Sequence, residues 1–361
     1  MRWQDQELAT DDPAALPGLG RLAGLVRSVR TPEFAGVTFH EVHAKSALNR
    51  VPGGSPMPFA WTVNPYRGCT HGCVYCFARK SHTYLELDAG HDFDTQIVVK
   101  TNVGSVLRKE VSSPRWGREH VAMGTNTDPY QRAEGRYRLM PEIIGALSDT
   151  GTPFSILTKG TVLARDLPLL AGAAARVPVG IGVSLALLDP ELHATLEPGT
   201  PAPKARLELI RRIRDAGLPC GVFVAPILPY LTDSSEQLYD LLRQLADAGA
   251  TGVTGIPLHL RPGAREWFFG WLRRTRPDLV GHYEKRYARG SNLPAEYRAE
   301  LSDRVKRISA EVGIGAGADG QLAGRNPVRG VPGDRAASFP AGSLPVRAMP
   351  EASADAALTL F

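Results

Sequence analysis

The sequence predicts an α/β fold in which six strand and helix units form a partial (β/α)6 barrel. Short apolar runs alternate with longer amphipathic stretches between about residue 59 and residue 257, a pattern typical of parallel sheets. The chain has 361 residues, of which 43% are apolar, enough to bury an open, TIM-type barrel. The predicted strands are Phe59 to Val63, His120 to Gly124, Pro153 to Leu157, Pro178 to Leu185, Gly221 to Ile227 and Thr251 to Pro257.

Two of the connecting helices can be identified from their periodicity and their end signals. The stretch from Ala205 to Leu218 places apolar residues on one face and ends at Gly217, a residue suited to a helix C-terminus. The next helix begins at Asp233 or Ser234, which are N-cap residues, and closes at Gly249. Each of these two helices follows a predicted strand and ends at a glycine.

Segments outside the predicted barrel differ from it in composition. Residues 1–57 form an N-terminal extension, in which FAGVTFHEVHAKSALNRVPG is apolar enough to be ordered against the barrel at residues 58–290. Helix is predicted on both sides of Pro277 and again in residues 291–312. Residues 313–361 are rich in Gly, Ala, Pro and Ser, and we expect a disordered tail there.

Charge and hydropathy exclude some classes of protein. The N-terminus lacks the basic region and apolar run of a secretory signal, and no segment offers the roughly 18 apolar residues that a membrane span requires. A cytoplasmic location is therefore expected, where cysteines are more often metal ligands or catalysts than disulfides. The formal net charge of +5 is compatible with a phosphate-bearing partner but does not require one.

The most informative motif is GCTHGCVYCF, which contains Cys69, Cys73 and Cys76. This C-x3-C-x2-C spacing cannot close a structural zinc site, which takes four ligands, usually as two separated pairs. The fourth cysteine, Cys220, lies at a strand start and is interpreted as a buried structural residue. Three thiolates on one loop can hold an iron–sulfur cluster by three corners and leave one iron open.

The cysteine loop, placed just after a first barrel strand, resembles the signature of the radical S-adenosylmethionine (radical SAM) superfamily. The resemblance implies a 4Fe-4S cluster on Cys69, Cys73 and Cys76 whose open iron chelates S-adenosyl-L-methionine. It implies reductive cleavage of that cofactor to a 5′-deoxyadenosyl radical, which abstracts hydrogen from a substrate. Tyr75 matches the aromatic position that contacts adenine in this family.

Residues after the later strands resemble the subgroup related to spore photoproduct lyase, of actinobacterial type. Thr127 and Asp128 match a pair that meets the cofactor's amino group, although an Asp-Pro turn with solvated side chains is the alternative. Lys159 matches the lysine that neutralises the cofactor carboxylate, and the alternative is a surface lysine. Ser184 matches a serine near the methionyl or ribose oxygens.

Other positions of the resemblance leave their roles open. Glu197 and Arg206 follow the pattern usual after the fourth strand, but they are equally compatible with a structural ion pair. Residues 224–226 match an apolar surface for adenine, or plain core. Thr125 stands where spore photoproduct lyase has its hydrogen-donating cysteine, so reversal of a thymine dimer by that same route is not expected.

Basic and aromatic residues suggest nucleic acid as a partner, in a pattern that also fits an amphipathic helix packed on the barrel. The aromatic members lie in the predicted helices near Pro277: Trp267, Phe268, Phe269, Trp271, Tyr283 and Tyr287. The basic members follow strands two and six or lie beyond them: Arg132, Arg136, Arg138, His259, Arg261, Arg265, Arg273, Arg274, Arg276, Lys285, Arg286 and Arg289.

The sequence therefore predicts a radical SAM enzyme that acts on nucleic acid in DNA repair or modification. The alternatives are a radical SAM enzyme for RNA, peptide or a small molecule, and a non-catalytic iron–sulfur protein that binds nucleic acid or senses redox state. The resemblance implies an electron donor such as flavodoxin or ferredoxin. The C-terminal ALTLF resembles a sliding-clamp docking peptide with Ala357 in place of glutamine, or else it docks on the barrel or has no role.

Overall fold

The computed structural model describes residues 7–8, 24–52, 57–315 and 338–345. Seven strands form the barrel sheet: β4 (Leu48–Arg50), β5 (Trp61–Val63), β8 (Val121–Met123), β9 (Phe154–Thr158), β10 (Val179–Ser184), β11 (Gly221–Ile227) and β12 (Gly252–Pro257). Their order is β12-β11-β10-β9-β8-β5-β4, and β5 and β8 to β12 run parallel. The short strand β4 pairs antiparallel with β5.

The six parallel strands are the six predicted from the sequence, with ends that agree to within two residues. Within the described residues, β12 and β4 each pair with one strand, so the sheet is open. Helices follow the strands in the expected alternation. They are α1 (His91–Thr95), α2 (Val103–Val111), α3 (Arg132–Tyr137), α4 (Met140–Asp149), α5 (Leu167–Ala174), α6 (Pro190–Leu196), α7 (Pro203–Asp215), α8 (Ser235–Asp247), α9 (Ala264–Thr275), α10 (Val280–Arg286) and α11 (Ala295–Glu311).

Local signals place the helix ends close to their predicted positions. Ser234 caps α8 with a capping box, since its hydroxyl accepts from the Gln237 amide at 3.1 Å. A 3-10 turn at Pro277–Leu279 separates α9 from α10, as expected from proline. No helix among the described residues is long and apolar enough to cross a membrane.

A second sheet, not predicted from the sequence, lies outside the barrel. Its strands are β1 (Glu7–Leu8), β2 (Leu25–Arg30), β3 (Thr38–Val42), β6 (Tyr66–Arg67) and β7 (Gln96–Lys100). The N-terminal extension supplies the first three, and the segments on either side of the cysteine loop supply the other two. The strand order is β1-β2-β3-β7-β6, and β3 runs parallel to β7.

Part of the predicted C-terminal tail is packed against the barrel. Residues 338–345 lie at the starts of the barrel strands, where Phe339 is 8% exposed and Ser343 is fully buried. The prediction of disorder therefore does not hold for this segment, because neighbouring strands provide the apolar contacts that its own composition lacks. The ALTLF peptide lies outside the described residues.

Candidate active site

The three loop cysteines follow β6 at the carboxyl end of the barrel strands. Cys69 and Cys73 are each 7% exposed, and Cys76 is half-buried. Backbone bonds fix the loop: the Cys69 amide donates to the Phe93 carbonyl at 3.0 Å, and the Val74 amide donates to the Leu196 carbonyl at 3.0 Å. The sequence thus brings all three thiols into one buried loop.

Burial raises the pKa of all three loop thiols, and for Cys69 the neighbouring Asp128 carboxylate raises it further. A buried thiolate is stabilised by a bound cation, so these thiols are suited to metal. Among the described residues, no three His, Cys, Asp or Glu side chains are arranged to hold a single metal ion. A loop of three thiols fits a polynuclear iron–sulfur cluster, whose irons are bound separately.

Arg79 also supports the cysteine loop, and this residue was not singled out from the sequence. Its side chain is fully buried, and its guanidinium donates to the Cys73 carbonyl, to the Gly90 carbonyl at 2.7 Å and to the Asp94 carboxylate at 3.0 Å. The central carbon of the guanidinium also lies 4.9 Å from the centre of the Trp267 ring. Burial raises the pKa of Asp94 to about 6, although Arg79 opposes the shift.

The turn that contains Glu197 and Pro198 holds the same loop from the other side. The Gly199 amide donates to the His71 carbonyl at 3.0 Å, and a Cβ at Gly199 would overlap the Thr70 carbonyl oxygen. Gln131 adds a third support, since its amide donates to the Gly68 carbonyl at 3.0 Å and accepts from the Thr70 amide at 2.9 Å. Arg79, Gln131 and Gly199 each contact backbone atoms of the cysteine loop.

Lys159 and Tyr75 both contact Glu197, and Ser184 joins this group through Lys159. Lys159 Nζ lies 2.6 Å from Ser184 Oγ and 3.4 Å from Glu197 Oε1, and it lies 5.7 Å from the centre of the Tyr75 ring. The Tyr75 hydroxyl donates to Glu197. The structure therefore brings together three of the residues predicted to surround the cofactor, and one of them, Tyr75, directly precedes Cys76.

Glu197 and Arg206 form a buried ion pair, which was one of the two alternatives for them. Both side chains are fully buried, and Arg206 Nη2 lies 2.5 Å from Glu197 Oε2. Burial alone raises the pKa of Glu197, but the positive charges of Arg206 and Lys159 bring it below its ordinary value. Arg206 also donates to the Ser184 carbonyl at 2.9 Å and so fixes the end of β10.

Asp128 is surrounded by donors from the protein. Its oxygens accept from Thr158 Oγ1 at 2.5 Å, the Lys159 amide at 2.7 Å and the Tyr130 amide at 2.8 Å, and Oδ2 lies 3.3 Å from His71 Nδ1. A carboxylate offers about four acceptor sites, so these four contacts occupy it. Burial raises the pKa of Asp128, but His71 and the donated hydrogen bonds lower it overall.

Thr127 is also engaged by the protein, because its hydroxyl donates to the Tyr66 carbonyl at 2.8 Å. His71, between the first two cysteines, is 2% exposed, and its Nε2 is buried with no hydrogen-bond partner among the described residues. An orphaned buried nitrogen is costly unless a bound group satisfies it. This feature fits a site that holds a cofactor.

The remaining predicted positions lie at the strand ends with different exposures. Thr125 is half-buried in the loop after β8. Val224 is fully buried and belongs to the core, while Ala225 and Pro226 are partly exposed. The carbonyl of Ala225 accepts from Ser184 Oγ at 3.4 Å.

Most of the aromatic residues considered for nucleic-acid stacking are core residues, as the alternative interpretation held. Phe268, Phe269, Trp271, Tyr283 and Tyr287 are at most 5% exposed and pack in one cluster. Exposed rings lie elsewhere: Phe77 is 47% exposed with Arg261 5.7 Å from its centre, and Tyr230 is 42% exposed with Arg286 at 4.8 Å. Neither exposed ring was singled out from the sequence.

The signal for the missed residues was present inside the cysteine motif. His71 lies between Cys69 and Cys73, Phe77 follows Cys76 directly, and Arg79 comes two residues later. Only the packing shows that Arg79 is buried and that His71 has an orphaned nitrogen.

Comparison with known proteins decides the family, since residues 63–242 match the model of the Radical SAM superfamily. The chain belongs to the radical SAM superfamily. It is therefore a radical SAM enzyme, and the cofactors of this family are a 4Fe-4S cluster and S-adenosylmethionine.

Similar proteins extend over most of the chain. An uncharacterized protein of Mycobacterium tuberculosis is 61% identical over 315 residues, which cover 86% of this chain and 92% of the relative. An uncharacterized protein of the Acidianus two-tailed virus is 30% identical over 216 residues, which cover 58% and 70%. Spore photoproduct lyase complexed with dinucleoside spore photoproduct shares the fold, with a TM-score of 0.57 at 18% identity over 76% of this chain and 79% of that one.

Proposed function

We propose that this radical SAM enzyme acts on nucleic acid, in repair or modification of DNA, and that Cys69, Cys73 and Cys76 hold its cluster. Their burial on one loop supports the assignment, as do the backbone contacts from Arg79 and the Gly199 turn. When bound, the cluster and S-adenosylmethionine supply reductive cleavage of the cofactor and hydrogen abstraction from a substrate. The protein positions both groups.

Lys159 and Ser184 are the side chains we propose for direct contact with S-adenosylmethionine. The ammonium of Lys159 is held between Ser184 Oγ and Glu197, at the carboxyl end of β9, where it can meet a carboxylate. Tyr75 lies beside it with its hydroxyl fixed by Glu197, so its ring presents a constrained apolar face. This arrangement of one cation, one hydroxyl and one ring suits an amino acid joined to a nucleoside.

For Thr127 and Asp128 the contacts favour a supporting role at the same site. The four protein contacts of Asp128 fix the backbone of Lys159 and the ring of His71. To accept the cofactor's ammonium, Asp128 would have to lose one of those contacts. We propose that His71 Nε2 faces the bound cofactors and that Asp128 orients its ring.

Exposed rings paired with arginine support a nucleic-acid substrate. Phe77 follows the last cysteine and is paired with Arg261 after β12, while Tyr230 follows β11 and is paired with Arg286. A stacking ring beside a cation is suited to an unstacked base and its phosphate. The shared fold with spore photoproduct lyase, whose structure includes a dinucleoside lesion, supports the same class.

The decisive experiment uses the full chain, reconstituted with iron and sulfide under anaerobic conditions and given dithionite and S-adenosylmethionine. Formation of 5′-deoxyadenosine tests the enzyme assignment. Deuterated irradiated DNA, undamaged DNA, tRNA and peptide pools are then compared for deuterium transfer into 5′-deoxyadenosine. Transfer from DNA supports the proposal, whereas transfer only from tRNA or peptide contradicts the substrate class. A flavodoxin or ferredoxin replaces dithionite in a further arm as the proposed electron donor.

Variants of the exposed rings separate substrate binding from cofactor chemistry. Phe77→Ala is expected to weaken binding of single-stranded DNA by about 1–3 kcal/mol, as for loss of one stacked base. Tyr239→Ala is the matched control, because Tyr239 is 40% exposed on α8. Equal DNA affinities for the two variants would remove the support that Phe77 gives.

A further inference from the structure

Glycines line the inner face of the barrel sheet on three neighbouring strands. Gly182 of β10 pairs with Gly221 of β11, which pairs with Gly252 of β12, so the three form a continuous row across the sheet. Gly180 lies two residues before Gly182 and so on the same face. Barrel interiors are ordinarily filled by large inward side chains, which are lacking at these four positions.

Residues 338–345, here called the floor segment, cover this glycine row. A Cβ at Gly180 would lie 2.6 Å from the Phe339 ring and 2.7 Å from Ser343 Oγ. At Gly252 it would lie 2.7 Å from the Ala341 carbonyl carbon. At Gly221 it would overlap the Ala341 carbonyl oxygen. The backbone of the floor segment therefore lies directly on the backbone of the sheet.

Specific contacts fix the floor segment in register. Thr251 Oγ1 donates to the Gly342 carbonyl at 2.7 Å. The Phe339 ring stacks on His120, with 4.0 Å between ring centres and 29° between planes. His120 in turn is hydrogen-bonded to Ser155 Oγ at 2.9 Å. These contacts involve the residues just before β12 and β8 and the start of β9.

At Gly221 and Gly252 the floor segment, and not the barrel itself, leaves no room for a side chain. The three nearest atoms to a Cβ at Gly221, and likewise at Gly252, all belong to residues 340–342. Neither glycine has the positive φ that would exclude alanine. The glycine row and the floor segment therefore fit each other as a binding groove fits its peptide.

We propose that this glycine row is a peptide-binding groove and that residues 338–345 of the same chain are its ligand. The stretch 316–337 is 22 residues long and can span up to about 70 Å when extended, so the segment can reach the groove within one chain. A covalent connection gives it a high effective concentration there. Docking closes the barrel below Ser184, which lies two residues beyond Gly182 on the same face of β10.

Hydrogen exchange of the full, cluster-loaded chain, followed by mass spectrometry, tests the proposal. Gly221→Ala and Gly252→Ala add a methyl group where the floor segment lies, and Gly342→Ala alters the segment at a residue with φ +72°. Each should speed exchange of residues 338–345 at least tenfold and leave most of β9 and β10 unchanged. Gly172→Ala on α5, where a Cβ has no neighbour within 4 Å, is the control and should change nothing there.

Two results would overturn the groove. One is exchange of residues 338–345 in the unmodified chain at the rate of an unstructured peptide. The other is unchanged exchange in all three groove and segment variants. Ser343→Cys gives an independent measurement, since Ser343 is fully buried: a thiol reagent should label it at least tenfold faster in the Gly221→Ala background. Equal labelling would contradict docking, and protection confined to a dimeric form would assign the segment to a second copy and contradict docking within one chain.

Discussion

Arg79 donates two hydrogen bonds to the carbonyl oxygen of Cys73, from Nε at 3.1 Å and from Nη2 at 3.0 Å. The same guanidinium reaches Gly90 and Asp94, so one planar group joins the cysteine loop to α1 and the residue before it. Only arginine offers five donors in a fixed plane, which makes the contact specific for this side chain. The loop geometry therefore depends on a residue that is not itself a proposed ligand.

Replacement of Arg79 by lysine should loosen the cysteine loop. Lysine keeps the charge, but its donors lie on a single nitrogen and cannot span the separated acceptors at Cys73, Gly90 and Asp94. We expect the free energy of unfolding to fall by about 1–3 kcal/mol, because buried carbonyl oxygens that accept from Arg79 lose their donors. Iron bound per chain after reconstitution should fall as well. Lys80→Met at the exposed neighbouring position is the control, and equal iron content in the two variants would contradict the role of Arg79.

Glu197→Gln tests the buried carboxylate beneath Tyr75 and Lys159. Glutamine keeps the shape but leaves Arg206 and Lys159 without a compensating charge. We expect a loss of about 3–5 kcal/mol in the free energy of unfolding, measured by urea titration. Glu208→Gln on α7 is the control, because its pair with Arg211 at 3.3 Å is exposed and should contribute at most about 1 kcal/mol. Equal losses of unfolding free energy in the two variants would contradict a stabilising role for the buried Glu197 carboxylate.

Single cysteine variants separate the proposed ligands from the structural thiol. Cys76→Ala should abolish both the brown colour of the reconstituted protein and its cleavage of S-adenosylmethionine, since a cluster held by three thiols loses one corner. Cys220→Ala should retain both and cost about 1 kcal/mol of packing, because Cys220 is fully buried at the start of β11. Iron loss in Cys220→Ala would contradict the three-ligand assignment.

The sequence predicted the parts of the fold that depend on local pattern. The six barrel strands are continuous apolar runs, and the α8 capping box is a local signal at Ser234. The second sheet was missed because β3 and β7 pair across more than 50 residues, which no local period indicates. The floor segment was missed because its small residues become buried only against the glycines of other strands.

In the candidate site, likewise, some residues could be identified from sequence motifs and others only from their packing. Tyr75, Lys159 and Ser184 were found because they match positions of the radical SAM family, and in the structure Tyr75 and Lys159 contact Glu197 while Ser184 contacts Lys159. Which partners occupy Asp128, and that Arg79 is buried, depend on how distant loops meet. Those features follow from tertiary contacts and could not be read from spacing.

The ring of His120 predicts how stability changes with pH. Burial lowers the pKa of His120 to about 4, against about 6.5 in the unfolded chain. Between these values the unfolded chain binds a proton that the folded chain excludes, so this contribution is complete above pH 6.5 and is lost as pH falls. At pH 5 the loss is about 2 kcal/mol, from 1.5 pH units at about 1.4 kcal/mol each.

His120→Phe isolates this effect, because phenylalanine retains the stacking on Phe339 but does not titrate. Its unfolding free energy, measured by urea titration at pH 7 and pH 5, should fall by about 2 kcal/mol less than that of the unmodified chain. The variant loses the bond to Ser155 at both pH values, so that loss cancels in the comparison. The same pH dependence in both proteins would mean that His120 is not held neutral beneath the floor segment.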